Sequence, residues 1–170
     1  LLEAFAARFG ASVACTQRLL NRAVAAGQRL LLEGAQGALL DVDHGTFPWV
    51  TSSATVAGGG ATGTGLPPAA IRRGGGGGKA YCTRVGSGPF PSELDPALAD
   101  ELRQRGIELG TATGALRRCG WLDLVALRHA AMLDRPDELV LTKVDVLGGL
   151  GRVGVCTAYR VGGVRTADFP

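Results

Sequence analysis

Short strand-like runs alternate with segments of helical periodicity along most of the chain. Four runs have the length and composition of strands, and they lie at 29–32, 81–86, 138–141 and 156–161. Three segments space their apolar residues as helices do, with Ser12, Asp95 and Asp123 as N-caps, at 12–26, 96–106 and 124–132. This alternation predicts an α/β fold with a largely parallel sheet flanked by helices.

Two glycine-rich stretches are predicted to be connections between these elements. In 57–68, three glycines match the spacing of a dinucleotide-binding fingerprint. No strand precedes them, however, and the prolines that follow prevent a helix from starting. We therefore expect a flexible connection there. The five glycines at 74–78 cannot fill a core and lose the most backbone entropy on ordering, so they are predicted to form a second connection.

The length and charge of the chain indicate which domain organisation and which kinds of ligand to expect. A length of 170 residues allows one domain with a core, although the chain begins with Leu1 instead of methionine. We expect residues 1–170 to be a single, incomplete α/β segment of a larger protein. The net charge is only +3 and the basic residues are scattered, which favours small anionic ligands over a nucleic-acid partner. No apolar stretch has membrane-spanning length, so a membrane partner is not expected.

The sequence offers little for a metal to bind. Four cysteines lie far apart, without a Cys-x-x-Cys pair or a histidine at metal-ligand spacing: Cys15, Cys82, Cys119 and Cys156. This pattern predicts reduced thiols in a cytoplasmic protein. Asp41, Asp43 and His44 are close in sequence, but a histidine in a polar loop more often pairs with backbone groups. No metal ligand is predicted.

A long polar loop spaced by glycines follows the predicted strand at 29–32. Loops at the carboxyl edge of a sheet are where α/β proteins place ligand-binding side chains. Gln36 lies between two glycine-containing turns, and its carboxamide can both donate and accept hydrogen bonds. This suits a purine whose protonation pattern changes at N1 and O6. A plain polar turn residue is an equally good interpretation of Gln36 from spacing alone.

A second candidate site follows the predicted strand at 138–141, where the sequence reads Thr-Lys-Val-Asp. The carboxylate of Asp145 can accept hydrogen bonds from both N1–H and the 2-amino group of guanine, and the aliphatic stem of Lys143 can lie against the ring. Adenine lacks that pair of donors and would leave Asp145 unpaired. As an isolated tripeptide, a solvated Lys–Asp pair is the simpler interpretation.

Three motifs in the polar loop resemble the central segment of the adenylosuccinate synthetases, and they are Glu-Gly-Ala-Gln-Gly (33–37), Leu-Asp-Val-Asp-His-Gly-Thr (40–46) and Val-Thr-Ser-Ser (50–53). The similarity continues in order almost to the end of the chain. Members of this family are GTP-dependent ligases that join L-aspartate to IMP. The resemblance implies a nucleotide-binding architecture like that of P-loop NTPases. It also implies IMP contacts at Gln36 and Thr51, and GTP contacts at Lys143, Val144 and Asp145.

The resemblance further identifies an aspartate-binding loop, which comprises Thr111, Ala112, Thr113, Gly114, Ala115, Leu116 and Arg117. The family pattern is Thr-Thr-Gly-Arg-x-Arg. Here Ala112 stands where the family has threonine, and Ala115 stands where it has an arginine that reaches both aspartate and IMP. The loss of one charge-assisted contact removes about 1.5–3 kcal/mol. Arg117 lies where the family has an arginine on the GTP side.

The remaining expectations also follow from the resemblance. In members of the family, the Mg²⁺ ligands, the catalytic acid and base and the phosphate loop belong to a part of the protein that this chain does not match. No catalytic residue is therefore assigned, and Gln36 is the closest candidate. A cytoplasmic homodimer is expected. The alternatives are a non-catalytic nucleotide-binding remnant and, much less well supported, a GTPase-like switch that rests on Lys143 and Asp145 alone.

Overall fold

The computed structural model describes residues 2–110 and 114–170. The described helices are α1 (Leu2–Phe9), α2 (Thr16–Ala25), α3 (Ala57–Thr64), α4 (Pro96–Gly106) and α5 (Leu124–Asp134). The described strands are β1 (Gly75–Lys79), β2 (Tyr81–Arg84), β3 (Arg118–Asp123), β4 (Glu138–Thr142), β5 (Val155–Cys156), β6 (Tyr159–Val161) and β7 (Val164–Thr166). None of the described helices is both long and apolar enough to cross a membrane.

The strands form three small sheets in the part of the chain that the structure describes. β1 pairs in parallel with β4, from Gly75 opposite Glu138 to Lys79 opposite Thr142. In the second sheet, β3 pairs antiparallel with β2 and parallel with β5. β6 and β7 form an antiparallel hairpin. The predicted α/β class is confirmed, and the parallel pairs are accompanied by antiparallel ones.

Several predicted element bounds need correction. Residues 29–32 form no strand within the described chain, and Leu31 is 95% exposed. The first predicted helix begins only at Thr16, because 3₁₀ backbone at Gly10–Ser12 precedes it. The predicted strand at 156–161 is divided between β5 and β6. β4 is found where a buried strand was predicted, but all five of its residues are exposed, since its neighbour β1 has almost no side chains to cover them.

Of the three helices predicted from capping signals, those capped by Asp95 and Asp123 are confirmed, whereas the N-cap position of α2 is Cys15 and not the predicted Ser12. The carboxylate of Asp95 accepts a hydrogen bond from the backbone N–H of Leu98 at 3.2 Å, and α4 begins with Pro96. Asp123 accepts two bonds at the start of α5, from the N–H groups of Val125 and Ala126, each at 3.0 Å. Both carboxylates satisfy donors that a helix leaves unpaired in its first turn.

The flexible connection predicted at 57–68 is wrong for its first half, because Ala57–Thr64 form α3. The carboxylate of Asp134, at the end of α5, accepts a hydrogen bond from the N–H of Ala57 at 2.7 Å, across 77 residues of sequence. The helix ends at Gly65, whose φ of 72° is the left-handed conformation common after a last helical turn. Asp134 therefore provides the hydrogen-bond acceptor that the sequence just before α3 lacks.

The five consecutive glycines were predicted to form a connection, but the last four of them form most of β1 instead. Their backbone groups are paired because β4 lies alongside. At the start of the pair, Gly74 and Asp137 exchange two hydrogen bonds of 2.8 Å, one of them to the Asp137 carboxylate. Leu139 covers one face of the glycine strand, so that a Cβ on Gly76 would lie 3.2 Å from Leu139 Cδ1.

A small apolar core brings the later elements together. Its buried members come from β2, α4 and β3: Tyr81, Ala99, Leu102 and Cys119. Partly buried residues pack against them from the segment before α4 and from the turn after β4: Leu94, Val146, Leu147 and Leu150. This packing fixes the turn that follows β4 against α4, and this turn carries one of the predicted sites.

Candidate functional site

Gln36 and Thr51 lie on the wall of one pocket. The pocket has a volume of about 380 Å³, within the usual range of about 300–1,000 Å³ for small-molecule sites. Its other lining residues come from the same loop and from the end of β2: Leu40, Trp49, Val50, Arg84, Val85 and Ser87. The N–H of Thr51 donates to the carbonyl of Leu40 at 2.8 Å, which closes the loop around this pocket.

Arg84 contributes a positive charge to the wall of the pocket, and the sequence did not indicate it. Its Nη2 donates to Thr46 Oγ1 at 3.0 Å and to the carbonyl of Trp49 at 3.2 Å. Its Nε donates to the carbonyl of Ser87 at 2.9 Å. Burial, and then the nearby charge of Arg118, lower the pKa of Arg84, but a guanidinium remains charged in proteins. Arg84 therefore braces both sides of a pocket suited to an anionic ligand.

Asp41 organises the polar loop by accepting hydrogen bonds from its backbone. It is fully buried, and its two oxygens accept hydrogen bonds from four backbone N–H groups, those of Asp43, His44, Thr55 and Val56. Burial alone would raise the pKa of Asp41, but these four donors lower it to about 2. Among the described residues, no three His, Cys, Asp or Glu side chains converge as a metal site would require.

Lys143, Val144 and Asp145 follow β4 directly, in the position expected at the carboxyl end of a strand. Asp145 begins a short 3₁₀ turn, Asp145–Leu147, and its exposed carboxylate accepts no hydrogen bond from the described residues. Lys143 is anchored, because its Nζ donates to the carbonyl of Gly106 at 2.5 Å and to Glu108 Oε1 at 3.0 Å. The methylenes of Lys143 and the carboxylate of Asp145 thus remain for a ligand.

Glu108 lies at the centre of the best-connected polar cluster in the described chain. Its side chain is 1% exposed, and its Oε1 accepts hydrogen bonds from Tyr81 Oη at 2.6 Å, Lys79 Nζ at 3.1 Å and Lys143 Nζ at 3.0 Å. Its Oε2 accepts from Arg117 Nη1 at 3.0 Å. Lys79 and Lys143 are the two lysines of the sequence, and both contact this one carboxylate.

The protonation states in this cluster follow from its burial and its donors. Burial would raise the pKa of Glu108, but the hydrogen bonds from Tyr81, Lys143 and Lys79 lower it to about 2. Burial lowers the pKa of Lys79, while its contact with Glu108 opposes that change. Burial and then the Glu108 carboxylate raise the pKa of Tyr81. Glu108 is therefore ionised and Tyr81 is neutral near neutral pH.

One feature of the sequence distinguishes Glu108. It is a single carboxylate in the apolar stretch Gly-Ile-Glu-Leu-Gly, immediately before the predicted aspartate loop. A lone charge among apolar neighbours is rarely buried without partners. Its partners, however, are separated from it by 9 to 35 residues, so their identity could not be inferred from spacing.

The predicted aspartate loop is described only in its second half. Thr111, Ala112 and Thr113 lie outside the described residues. The two ends of the loop meet, because Leu109 and Leu116 form a β-bridge and the N–H of Gly110 donates to the carbonyl of Ala115 at 2.7 Å.

Arg117, at the end of this loop, is tied to Glu108. The Nε of Arg117 is buried and has no hydrogen-bond partner among the described residues. An unpaired buried donor is costly, so a group supplied by a ligand would stabilise this arginine.

Two of the predicted purine contacts have unusual backbone conformations. Gln36 has a φ of 65° and Lys143 a φ of 56°, in the left-handed region that few residues other than glycine adopt. Such conformations cost about 1–3 kcal/mol and are often found at binding sites. Neither conformation was predicted, since both depend on the turn that follows.

Strand β2 connects the Gln36 pocket to the Glu108 cluster. Tyr81 at its start donates to Glu108, and Arg84 at its end lines the Gln36 pocket. The strand backbone from Tyr81 to Arg84 spans about 10 Å, which is the length of a small ligand. The two candidate sites therefore lie on connected parts of the same structure.

The fold and these sites define a mixed α/β protein with polar, ligand-suited groups beside its short strands. The family model described as adenylosuccinate synthetase matches residues 1–170. The chain belongs to the adenylosuccinate synthetase family.

Individual relatives support this assignment. The adenylosuccinate synthetase of Sorangium cellulosum is 53% identical over 99% of this chain and 40% of its own length. That of a Nocardioides species is 53% identical over 99% of this chain and 39% of its own length. The structure of fully ligated adenylosuccinate synthetase from Plasmodium falciparum, 36% identical, superposes with a TM-score of 0.91 over 95% of this chain and 39% of that one. The chain thus spans about 40% of the length of these relatives.

Proposed function

We propose that the protein containing this chain is an adenylosuccinate synthetase, which ligates IMP and L-aspartate to adenylosuccinate and releases GDP and phosphate. In this reaction GTP phosphorylates the 6-oxygen of IMP, and the amino group of aspartate then displaces that phosphate. In this proposal the chain binds and orients the reactants, and such positioning is most of a protein's contribution to phosphoryl transfer. We further propose a cytoplasmic homodimer with no nucleic-acid or membrane partner.

One observation carries this proposal, the arrangement of Lys143 and Asp145 directly after β4. The ammonium of Lys143 is held by Glu108 and the Gly106 carbonyl, while the Asp145 carboxylate is exposed. A fixed lysine stem and a free carboxylate are what guanine recognition requires. We assign Lys143, Val144 and Asp145 to GTP, with Arg117 on the same side.

The pocket of Gln36 and Thr51 supports IMP as the second ligand. Gln36 offers an amide to a hypoxanthine ring, and Thr51 offers a hydroxyl and a backbone position to a phosphate. Arg84 brings a positive charge to the same pocket. Members of this family require Mg²⁺, but the described residues gather no set of ligands for it, and no step is assigned to the ion in this chain.

Aspartate is proposed to bind at the loop that ends at Arg117. This loop is where the chain departs from its family, at Ala112 and Ala115. An arginine lost from a substrate carboxylate removes about 1.5–3 kcal/mol, which corresponds to about a 10- to 150-fold weaker interaction. We therefore expect aspartate to bind more weakly than in relatives that have the arginine.

A segment exchange tests the proposal. Residues 1–170 replace the matched segment of the Sorangium cellulosum enzyme, and adenylosuccinate formation is measured against IMP, aspartate and GTP. We expect GTP-dependent product and a raised KM for aspartate, which Ala115→Arg lowers by about tenfold or more. A folded chimera that binds GTP and IMP but forms no product, with or without Ala115→Arg, would overturn the proposal and favour a non-catalytic remnant.

A further inference from the structure

We propose that Glu108 is a positioning residue that couples the guanine site at Lys143–Asp145 to the aspartate loop through Arg117, the GTP-side residue at which that loop ends, so that occupancy of one site favours occupancy of the other. This inference rests on the proposed function, which assigns ligands to the two sites. Glu108 itself contacts no ligand in this proposal.

The geometry of the contacts carries the inference. Lys143 Nζ donates to one oxygen of the Glu108 carboxylate and Arg117 Nη1 donates to the other, each at 3.0 Å. The carboxylate is 1% exposed and accepts hydrogen bonds on both oxygens, so a displacement of one cation changes the position available to the other. Lys143 and Arg117 belong to segments that are otherwise separate in the sequence.

The backbone around Glu108 strengthens this connection. The N–H of Arg117 donates to the Glu108 carbonyl at 3.2 Å, and the Arg103 guanidinium donates to the carbonyl of Arg117 at 3.2 Å. Lys143 also reaches the carbonyl of Gly106, two residues before Glu108. Main-chain and side-chain contacts therefore hold the end of α4, the loop and the end of β4 as one unit.

The charges in the Glu108 cluster explain why the position of Lys143 would depend on a bound ligand. One buried carboxylate faces three cations, Lys79, Lys143 and Arg117, which leaves an excess of positive charge. Arg117 Nε also has no partner among the described residues. A carboxylate of aspartate bound at the loop that ends at Arg117 would reduce the repulsion among the cations and so hold Lys143 in its binding conformation. A guanine nucleotide that fixes Lys143 would favour the anion equally, because coupling is reciprocal.

The test uses the full gene product that contains this chain. The dissociation constant of GDP is measured by calorimetry with and without saturating L-aspartate, in the presence of IMP. We expect aspartate to tighten GDP binding by a factor within the usual range of about 5–150. In Glu108→Gln, which removes the charge and keeps the size, this factor falls towards one, whereas IMP affinity at the Gln36 pocket stays unchanged.

Matched variants separate positioning from general damage. Glu101→Gln makes the same change at an exposed residue of α4 that pairs with Arg105, and we expect wild-type coupling. Glu108→Asp keeps the charge and is expected to restore part of the coupling. Lys143→Met removes one contact to Glu108 from the guanine side, and we expect it to raise the KM for aspartate, a ligand that Lys143 does not touch.

Three results would overturn the inference: a wild-type protein that binds both ligands without coupling, a Glu108→Gln variant with wild-type coupling, or one that weakens GDP, aspartate and IMP equally. If Glu108→Gln does not fold, Lys143→Met provides the test instead, and an unchanged KM for aspartate in that variant would overturn the inference. Failure of the proposed function looks different, because the wild-type protein would then bind neither GDP nor aspartate.

Discussion

At the scale of single residues, Lys143 and Asp145 have different surroundings although they are two positions apart. The Lys143 ammonium is fixed by Glu108 and by a backbone carbonyl, and its backbone is left-handed. Asp145 is exposed and begins a turn. The first residue is prepared for a ring to pack on its stem, and the second is prepared to accept hydrogen bonds from that ring.

Asp145→Asn in the full gene product should therefore weaken guanine nucleotides specifically. An asparagine amide presents a donor to one of the two guanine donors, so about 1.5–3 kcal/mol of binding is lost. The measurement is competition of GDP and ADP for a fluorescent GDP analogue. Asp100→Asn, at an exposed residue of α4 paired with Arg103, is the control and should bind GDP normally. Unchanged preference for guanine over adenine nucleotides in Asp145→Asn would show that Asp145 does not select the base.

Two of the buried carboxylates, Asp41 and Glu108, make the stability of the fold depend on pH in the acid range. The pKa values of Asp41 and Glu108 are lowered to about 2 in the folded protein, whereas unfolded values are about 3.9 and 4.3. The unfolded state consequently binds more protons between about pH 4 and 2, and stability falls as the pH falls through that window. Each carboxylate contributes about 2–3 kcal/mol, fully present above about pH 5.

Chemical denaturation at about pH 7, 5, 4 and 3 tests this expectation. The free energy of unfolding should change little from pH 7 to 5 and then decrease. Glu108→Gln should be less stable than wild type at neutral pH and should lose less stability on acidification, since it has one carboxylate fewer to protonate. An equal acid loss in both proteins would mean that the pKa of Glu108 is close to its unfolded value.

At the scale of secondary-structure elements, β1 shows how a strand can form without side chains. Its glycines are held by the ladder to β4 and by contacts at both ends. Thr142 Oγ1 donates to the Gly78 carbonyl at 3.1 Å, and the N–H of Ala80 donates to the Thr142 carbonyl at 2.9 Å. The two faces of the strand differ: Leu139 and Pro136 cover Gly76, whereas a Cβ on Gly77 would meet nothing within 4 Å.

Gly77→Val should accordingly stabilise the folded protein by about 0.5–1 kcal/mol, because valine reduces backbone entropy in the unfolded state and favours strands. Gly76→Val is the matched control. Its Cβ would lie 3.2 Å from Leu139 Cδ1 and 3.3 Å from Pro136 Cβ, so the same change is neutral or destabilising there. Denaturation midpoints of the two variants measure the difference, and a Gly76→Val variant more stable than Gly77→Val would contradict the assigned faces.

Which elements could be predicted from the sequence depended on how far away their stabilising contacts lie. The starts of α4 and α5 were predicted because Asp95 and Asp123 cap helices that begin at the next residue. The helix α3 was missed because its cap, Asp134, is remote. The strand β1 was missed because its partner strand is remote as well. Local composition predicted a connection between elements in both cases, and tertiary contacts overrode it.

The residues of the candidate sites could likewise be predicted only where their signal is local in the sequence. The positions of Gln36, Thr51, Lys143 and Asp145 came from motifs that are contiguous in sequence, and their ligand assignments stay predictions. Glu108, Lys79 and Arg84 belong to no such motif, and the apolar stretch around Glu108 did not identify its partners. They act by linking segments, and the donors to Glu108 are 9, 27, 29 and 35 residues away. A buried carboxylate with distant partners can be identified only when the fold is known.

At the scale of the whole molecule, much apolar surface is exposed for a chain of this size. Leu139, Val140 and Leu141 of β4 are 50%, 59% and 45% exposed. Exposed apolar patches usually mark a surface that another element covers. The matched relatives have more than twice the length of this chain, and the resemblance assigns their phosphate loop, catalytic acid and catalytic base to an amino-terminal part that this chain does not match.

Purified residues 1–170 alone should therefore form no adenylosuccinate from IMP, aspartate and GTP. The polypeptide would carry the proposed purine contacts without the groups that activate the 6-oxygen and transfer the phosphate. The assay is product formation at saturating substrates, with the segment-exchange chimera as the positive control. Asp145→Asn in the same polypeptide identifies contamination by the expression host's enzyme, because contaminating activity would not respond to the substitution. Turnover that Asp145→Asn abolishes would show that this segment is catalytic by itself, and the assignment of the chemistry to another part of the protein would be wrong.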